Sequence, residues 1–203
     1  MTSTRIRMTP DDRREQLLGL GVHLLATRSL DELSIDVLAE EAGISRGLLY
    51  HYFGNKQDFH RAVVRRAADD LIRVTAPVPD GEPLERLARS LEAYVDYVAA
   101  NYEGYASLVR GAASGNEDLR QIYEEARAAL TDRIFEVADR VYDGGVLGVF
   151  KTEDTPAVRL MVRGWSAMAE EVVLSWVRDD GGVSKEQLLG LLAAALPGML
   201  SGI

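Results

Sequence analysis

The sequence predicts an all-α protein of about nine helices, on three observations. Apolar residues recur at helical spacing through most of the 203 residues, N-capping residues and prolines precede several of these stretches, and glycine pairs interrupt the pattern. Strand-like alternation is nearly absent. With 47% hydrophobic and 27% charged residues the chain can bury a sizeable core, and its lack of cysteine excludes disulfides, zinc–cysteine sites and thiol nucleophiles.

The first helix is expected to run from Pro10 to about Thr27. Thr9 is a good N-cap, proline is favoured at the first helical position, and acidic residues at positions 11 and 12 suit the positive end of the helix dipole. Its apolar side is formed by Leu17, Leu18, Val22, Leu24 and Leu25.

Two very short helices are expected next, at Ile35–Glu41 and Arg46–Phe53. Ser34 and Ser45 are good N-caps for them, and Gly43 between the helices can adopt a positive φ. A fourth helix should extend from Lys56 to about Val74. The proline-rich stretch that follows, 74–81, is the clearest break in composition and marks a domain boundary.

The rest of the chain is predicted to form five more helices. Apolar spacing indicates helices around 84–98, 104–113 and 119–137. Thr155 caps a long helix to about Arg178, and Ser184 with Gln187 forms a capping box for the last one. The longest apolar stretch is too short to span a membrane, and the N-terminus has no signal-peptide pattern, so we expect a cytoplasmic protein with no membrane partner.

The charge distribution is uneven, which matters for a polyanionic partner. Up to residue 75 the chain has eleven Lys and Arg and eleven Asp and Glu, so the whole net charge of -9 lies beyond that point. A neutral N-terminal segment can still present a basic face if its acids point elsewhere.

The two short helices meet the requirements of a helix-turn-helix. Ala39 supplies the small residue where the helices cross, Gly43 the turn, and Leu49 the apolar residue that faces the core. The second helix carries side chains suited to DNA near its N-terminus, namely Ser45, Arg46, Gly47, Tyr50 and His51.

The run from Ala39 to Lys56 resembles the signature of the tetracycline-repressor (TetR) family of bacterial transcription regulators. The resemblance implies a homodimer that binds a double-stranded DNA operator and a small-molecule effector. It also implies a three-helix DNA-binding domain at 1–54, a connector helix at 55–76 and a helical ligand-binding and dimerisation domain at 77–203. The expected function is a ligand-responsive regulator, most often in this family a repressor that a small molecule releases from a palindromic operator.

The resemblance also assigns roles to single residues. Residues that match the phosphate contacts of the family are Ser34, Ser45, Tyr50, Tyr52 and Lys56. Residues at positions that usually read base edges are Arg46, Gly47 and His51. The two serines would also be present simply as helix caps, and the tyrosines could be packing residues, whereas Phe53 is assigned to the core.

A ligand pocket and a dimer interface are expected in the C-terminal part. Aromatic and sulfur side chains predict a mostly apolar cavity near Tyr94, Tyr97, Tyr123, Trp165 and Met168, although such residues at helical spacing are more often core. One of Arg163, Glu170 and Glu171 could orient the ligand.

The 156–178 helix has two apolar stripes, and the last helix is rich in small residues, which predicts a four-helix interface that uses Val173, Val177, Gly190, Ala193 and Ala194. The alternative is a monomeric bundle with a buried last helix.

An enzyme is not expected. The three histidines, at positions 23, 51 and 60, lack metal spacing, and no nucleophile elbow, P-loop or dinucleotide fingerprint occurs, so we expect neither metal nor cofactor. A helical protein-binding adaptor without a DNA role is the alternative. The composition of the third helix separates the two, since an adaptor has no reason to expose Arg46, Tyr50, His51 and Lys56 together.

Overall fold

The computed structural model describes residues 9–78, 80–136 and 153–200. Within these ranges the chain forms nine α-helices and no strand, in agreement with the predicted all-α class. The helices are α1 (Pro10–Leu25), α2 (Ile35–Ala42), α3 (Arg46–Phe53), α4 (Lys56–Val74), α5 (Pro83–Ala100), α6 (Tyr102–Ala113), α7 (Glu117–Glu136), α8 (Pro156–Arg178) and α9 (Lys185–Leu200). None of them is long and apolar enough to cross a membrane.

The predicted caps start the helices. The Thr9 side chain accepts a hydrogen bond from the backbone N–H of Asp12, and the Asp12 carboxylate accepts one from the Thr9 N–H, so the two residues form a capping box. Ser34 and Ser45 cap α2 and α3 in the predicted way. The expected end of α1 at about Thr27 lies two residues too far, because the α-helical bonding ends at Leu25 and the chain continues as a turn.

Contacts divide the chain into two compact units. The limits of these units differ from the domain boundaries at 54 and 76 that the sequence led us to expect. The head unit runs up to Ala68 and includes Glu103–Ile122, and the body unit contains Asp69–Tyr102 and the chain from Tyr123 onward. α4 and α7 therefore each contribute to both units.

α6 joins the head unit because it packs tightly on the end of α1. A Cβ added at Gly104 would lie 2.8 Å from the backbone oxygen of Leu25, which leaves room only for glycine. Nearby, the Ser107 hydroxyl accepts a hydrogen bond of 3.3 Å from the N–H of Leu30. No local sequence signal links α6 to α1, since the two helices are some 80 positions apart.

The body unit is built around the packing of α5, α8 and α9. Its buried residues include Val95, Val98, Val158, Val162, Val173, Leu188, Leu192 and Leu196. The indole N–H of Trp165 donates a 2.9 Å hydrogen bond to the carbonyl oxygen of Leu192, which fixes α8 against α9. Lys185 at the start of α9 forms ion pairs with Glu92 and Asp96 of α5 at 3.1 and 2.6 Å.

Candidate nucleic-acid interface and effector domain

The residues that shape the helix-turn-helix lie where the motif places them. Leu49 is fully buried and Ala39 is buried at 6% exposure, so both face the core between α2 and α3. Gly43 has a φ of 62°, the left-handed conformation that ends α2 and turns the chain toward α3. Phe53 is buried against Phe59, with ring centroids 5.2 Å apart, in agreement with its assignment to the core.

The opposite face of α3 is open to solvent. Its exposed residues are Arg46, Gly47, Leu48, Tyr50 and His51, and the exposed Lys56 follows at the start of α4. Tyr50 exposes 47% of its surface, so its side chain is accessible to a ligand. Tyr52 is half-buried, with its ring edge-on to that of His51 at 5.6 Å. The arrangement joins cationic, hydroxyl and aromatic groups on one short helix, which is the chemistry that suits a DNA groove and its phosphates.

Leu48 is a member of this face that the sequence analysis did not single out. It exposes 38% of its surface although it lies beside the fully buried Leu49. The signal was present in the sequence, because adjacent helical positions point about 100° apart and only one of two neighbouring leucines can face the core. An exposed leucine at this place suits the methyl group of thymine.

The N-termini of α2 and α3 combine capping with a free hydroxyl proton. The Ser34 oxygen accepts from the N–H of Val37 at 3.1 Å, and the Ser45 oxygen accepts from the N–H of Leu48 at 3.3 Å. A hydroxyl that accepts in this way still has its own O–H to donate. Capping therefore does not compete with a phosphate contact at these helix ends, where the helix dipole also favours an anion.

Arg46 has an intramolecular partner in the unbound protein. Its guanidinium forms an ion pair with the carboxylate of Asp36 in the first turn of α2, and both side chains are mostly exposed. No motif in the sequence indicates a role for Asp36. Its position two residues after the Ser34 cap puts a negative charge close to the residue expected to read a base.

His60 holds α4 against the segment that precedes α2. Its Nε2 lies 2.5 Å from the carbonyl oxygen of Leu33, so Nε2 carries the proton and donates. Burial lowers the pKa of His60, and the positive charge of Lys56 acts in the same direction, while the Leu33 hydrogen bond opposes both. The imidazole is therefore a neutral structural contact that positions α4 beside the helix-turn-helix.

In the body unit, Tyr123 is the centre of a polar cluster. Its hydroxyl donates a 2.7 Å hydrogen bond to Glu170 of α8 and accepts one of 3.3 Å from Arg127. Arg127 also donates to the carbonyl oxygen of Arg163 at 3.2 Å. Burial and the Glu170 hydrogen bond raise the pKa of Tyr123 to about 12. Arg163, Glu170 and Glu171 were the charged residues expected to include one that orients the ligand. Among these three, Glu170 is hydrogen-bonded to Tyr123, a predicted pocket residue.

The other predicted pocket residues lie in the same unit but in different settings. Tyr94, Tyr97 and Met168 are half-buried, and burial raises the pKa of Tyr97 to about 12. Trp165 is buried between α8 and α9, where its indole N–H is hydrogen-bonded to the carbonyl oxygen of Leu192. A recess of about 410 Å³ opens at the end of α8, but no predicted pocket residue lines it; it is formed by Ala99, Trp176, Val177, Arg178, Asp179 and Asp180.

The predicted interface residues divide between interior and surface. Gly190 and Ala194 are exposed on α9, Ala193 and Val177 are half-buried, and Val173 is fully buried. Val173 packs in the core of its own subunit because it lies on the same stripe of α8 as the buried Val158 and Val162, whereas Val172 on the other stripe is 37% exposed. The most exposed large apolar side chains of the two helices are Leu160 of α8 and Leu191 of α9, at 68% and 66% exposure.

Comparison with known proteins matches both parts of the chain. Residues 17–63 match the family described as bacterial regulatory proteins, tetR family, and residues 83–196 match the family described as tetracyclin repressor-like, C-terminal domain. The second match alone covers more than half of the chain.

Individual relatives agree with this. The HTH-type transcriptional activator FasR of Mycolicibacterium smegmatis is 24% identical over 184 residues, which cover 89% of this chain and 79% of FasR. A tetR-family regulator from Streptomyces coelicolor has a TM-score of 0.80 at 31% identity, over 96% of this chain and 83% of that one. FadR from Bacillus subtilis, solved with stearoyl-CoA, has the same fold with a TM-score of 0.60 at 20% identity, over 93% and 98% of the two chains. With both family matches in their expected places and a helix-turn-helix whose second helix exposes DNA-binding groups, the chain belongs to the TetR family of DNA-binding, ligand-responsive transcriptional regulators.

Proposed function

We propose that this protein is a homodimeric repressor that binds a palindromic DNA operator through α3 and is released when a small molecule binds in the body unit. One observation carries the proposal. α3 buries Leu49 and Phe53 and leaves Arg46, Tyr50 and His51 in solvent together, an arrangement that packing of the protein core does not require.

Contacts to DNA divide into two classes. Lys56, the tyrosine hydroxyls and the two capping serines contact phosphates and so fix the register of the protein on the duplex. Arg46 and His51 read base edges in the major groove, and Gly47 allows α3 to approach closely. Leu48 joins the second group as an apolar contact to a thymine methyl.

A dimer supplies the second recognition helix. Two α3 helices must lie about 34–36 Å apart to enter successive major grooves of one duplex. The face that supports such a dimer is formed by Gly190, Leu191 and Ala194 of α9 with Leu160 of α8, because these residues are exposed and the two leucines are apolar, while the glycine and the alanine permit close helix approach. Val173 is fully buried and belongs to the core. Val177 and Ala193 are half-buried and lie at the edge of the proposed dimer face.

The effector acts by stabilising a conformation that cannot bind the operator. α4, like α7, contributes residues to both units, and it follows α3 directly in the chain, so it is the helix through which binding in the body would displace α3. The apolar part of the effector site is formed by the half-buried rings and side chains of Tyr94, Tyr97, Tyr123 and Met168. The polar part is the hydrogen-bonded pair of the Tyr123 hydroxyl and the Glu170 carboxylate. By linkage, effector and operator must weaken each other's binding by the same factor.

Selection of DNA by the purified protein tests the proposal. The full chain is incubated with random double-stranded DNA, and the enriched sequence is titrated at several salt concentrations. A palindromic motif with steep salt dependence supports the dimeric repressor. Enrichment of no sequence by a folded protein would favour the adaptor.

The direction of regulation needs a separate test, since the relative FasR is an activator. The enriched operator is placed between a promoter and a reporter in a heterologous bacterium. Repression predicts that expression of the protein lowers reporter output, while higher output would assign activation to the same DNA-binding site.

A further inference from the structure

Two polar atoms on α5 are buried without a hydrogen-bond partner. Nε of Arg86 and Oγ of Ser90 are both shielded from solvent, and neither has a partner in the described chain. Native proteins satisfy the large majority of such groups, because a buried donor without a partner loses its hydration and gains nothing in return. A pair of them one helical turn apart indicates a site that a ligand completes.

These two residues lie along one line of the helix. At about 100° per residue, Arg86, Ser90 and Tyr97 fall within about 40° of one another on the surface of α5. The apolar residues Leu91 and Val98, both buried, lie on a different side of the helix. The stripe of Arg86, Ser90 and Tyr97 is therefore separate from the face of α5 that forms the core.

The last turns of α4 lie close to this stripe within the body unit. Tyr97 is half-buried, and the negative charge of Asp70 on α4 acts on its hydroxyl together with the opposing charge of Arg73. Asp70 in turn forms an ion pair with Arg73 at 3.0 Å. Asp70 is thus already matched by a cation, and no ion pair to Arg86 occurs among the described residues.

We propose that Arg86 and Ser90 bind the anionic group of the effector, and that the effector is an organic anion with an apolar body. An arginine side chain has only donors and keeps its charge at any physiological pH, and its planar fork matches a carboxylate or a phosphate. Ser90 adds a second donor one turn along, and half-buried Leu87 and Tyr94 beside the stripe suit an apolar chain or ring. The inference rests on the proposed effector-controlled repressor and specifies the chemistry of its effector.

The ligand-free protein provides the first test. Arg86→Met removes the buried, unpartnered Nε of a half-buried side chain and leaves an apolar side chain of similar length, so the melting temperature of the full chain should rise by about 2–4 °C. The matched control is Arg89→Met on the same helix, which removes the same charge from an exposed position together with hydrogen bonds to the carbonyl oxygens of Asp80 and Glu85, so its melting temperature should not rise. A fall in the melting temperature of Arg86→Met would show that Arg86 is structural and would overturn the inference.

The second test uses three probes that share one apolar chain. Decanoate, decyl phosphate and decanol are titrated by calorimetry into the wild type, Arg86→Met, Ser90→Ala and Arg89→Met. We expect at least one anion to bind the wild type at least tenfold more tightly than decanol, with that preference lost in Arg86→Met, reduced in Ser90→Ala and kept in Arg89→Met. The two anions also distinguish a carboxylate effector from a phosphate ester. Equal binding of decanol, absence of binding by both anions, or an unchanged preference in Arg86→Met would each overturn the inference.

Operator binding, measured on the same preparations, separates this inference from the proposed function. All variants should keep the wild-type affinity for the selected operator in the absence of probe. Intact operator binding without anion preference would overturn the anionic effector alone, whereas a wild type that selects no DNA would overturn the repressor.

Discussion

Arg46, the first residue of α3, forms an ion pair with Asp36, the second residue of α2, across the turn of the helix-turn-helix. Both side chains are mostly exposed, so the pair contributes little to folding, on the order of 0–1 kcal/mol. The ion pair affects DNA binding. To contact a base, the Arg46 guanidinium must either break its ion pair with Asp36 or bind the base and the carboxylate at the same time.

Removing the Asp36 charge should strengthen DNA binding. Asp36→Asn frees Arg46 and takes a negative charge away from the approaching phosphates, so operator affinity should rise about two- to fivefold at low salt, with a smaller gain at high salt. Asp31→Asn, an exposed carboxylate in the loop before α2, is the control for a general charge effect. Fluorescence anisotropy with labelled operator measures both. Weaker binding with loss of sequence preference would instead identify Asp36 as the residue that orients Arg46.

Lys56 and Arg46 should respond differently to truncation. Lys56→Ala removes a phosphate contact, so binding to all sequences should weaken alike and the slope of log K against log salt should fall by about 1. Arg46→Ala should cost roughly 1–3 kcal/mol on the selected operator and relax the preference at one base pair. Binding to a set of single-base operator variants measures the difference. The division into phosphate and base contacts fails if neither variant changes sequence preference.

The contact between α6 and α1 should be sensitive to a single methyl group. Gly104→Ala places a Cβ 2.8 Å from the Leu25 oxygen, a backbone atom that cannot rotate away, so unfolding should become easier by about 1–3 kcal/mol. The control is Gly19→Ala in α1, where nothing lies within 4 Å and the higher helix propensity of alanine should stabilise by about 0.5–1 kcal/mol. Urea denaturation measures both, and an unchanged midpoint for Gly104→Ala would contradict the close packing.

His60 should make the stability of the protein dependent on pH. Burial lowers its pKa in the folded state below that of the unfolded chain, so the unfolded state takes up a proton first as the pH falls. The stabilisation from neutral His60 is complete above the ordinary histidine pKa of about 6.5 and is lost as the pH falls through that value toward the lower folded pKa. His60→Gln keeps a donor for the Leu33 carbonyl and should flatten the decrease. Thermal unfolding between pH 7.5 and 5.5 tests this, and identical pH profiles would contradict it.

A charge on the exposed face of α9 should weaken the proposed dimer. Ala194→Glu places two like charges at a two-fold interface, so sedimentation at micromolar concentration should show monomer where the wild type is a dimer. Ala128→Glu, at an exposed position of α7, adds the same charge elsewhere and should leave the mass unchanged. If Ala194→Glu retains the dimer mass, this face of α9 is not the interface.

Local signals explain why so much of the fold could be predicted from sequence. The N-caps Thr9, Ser34, Ser45 and Thr155 each bond to a backbone N–H three residues away, so their effect is contained in a few neighbouring positions. The recognition face of α3 follows in the same way, because helical geometry fixes which residues oppose Leu49. Exposure of Arg46, Tyr50 and His51 needs no knowledge of the distant chain.

The sequence by itself therefore determined the helices, the helix-turn-helix and the side of α3 that is exposed to solvent. Tertiary structure decided what depends on residues far apart in the chain: that α6 packs on α1 through Gly104, that Val173 is fully buried within its own chain, and that Nε of Arg86 is buried without a hydrogen-bond partner. Periodicity shows that a helix has an apolar stripe but does not identify what covers it. The packing of the other helices determines what covers each stripe, and therefore which side chains are buried and lose their hydration.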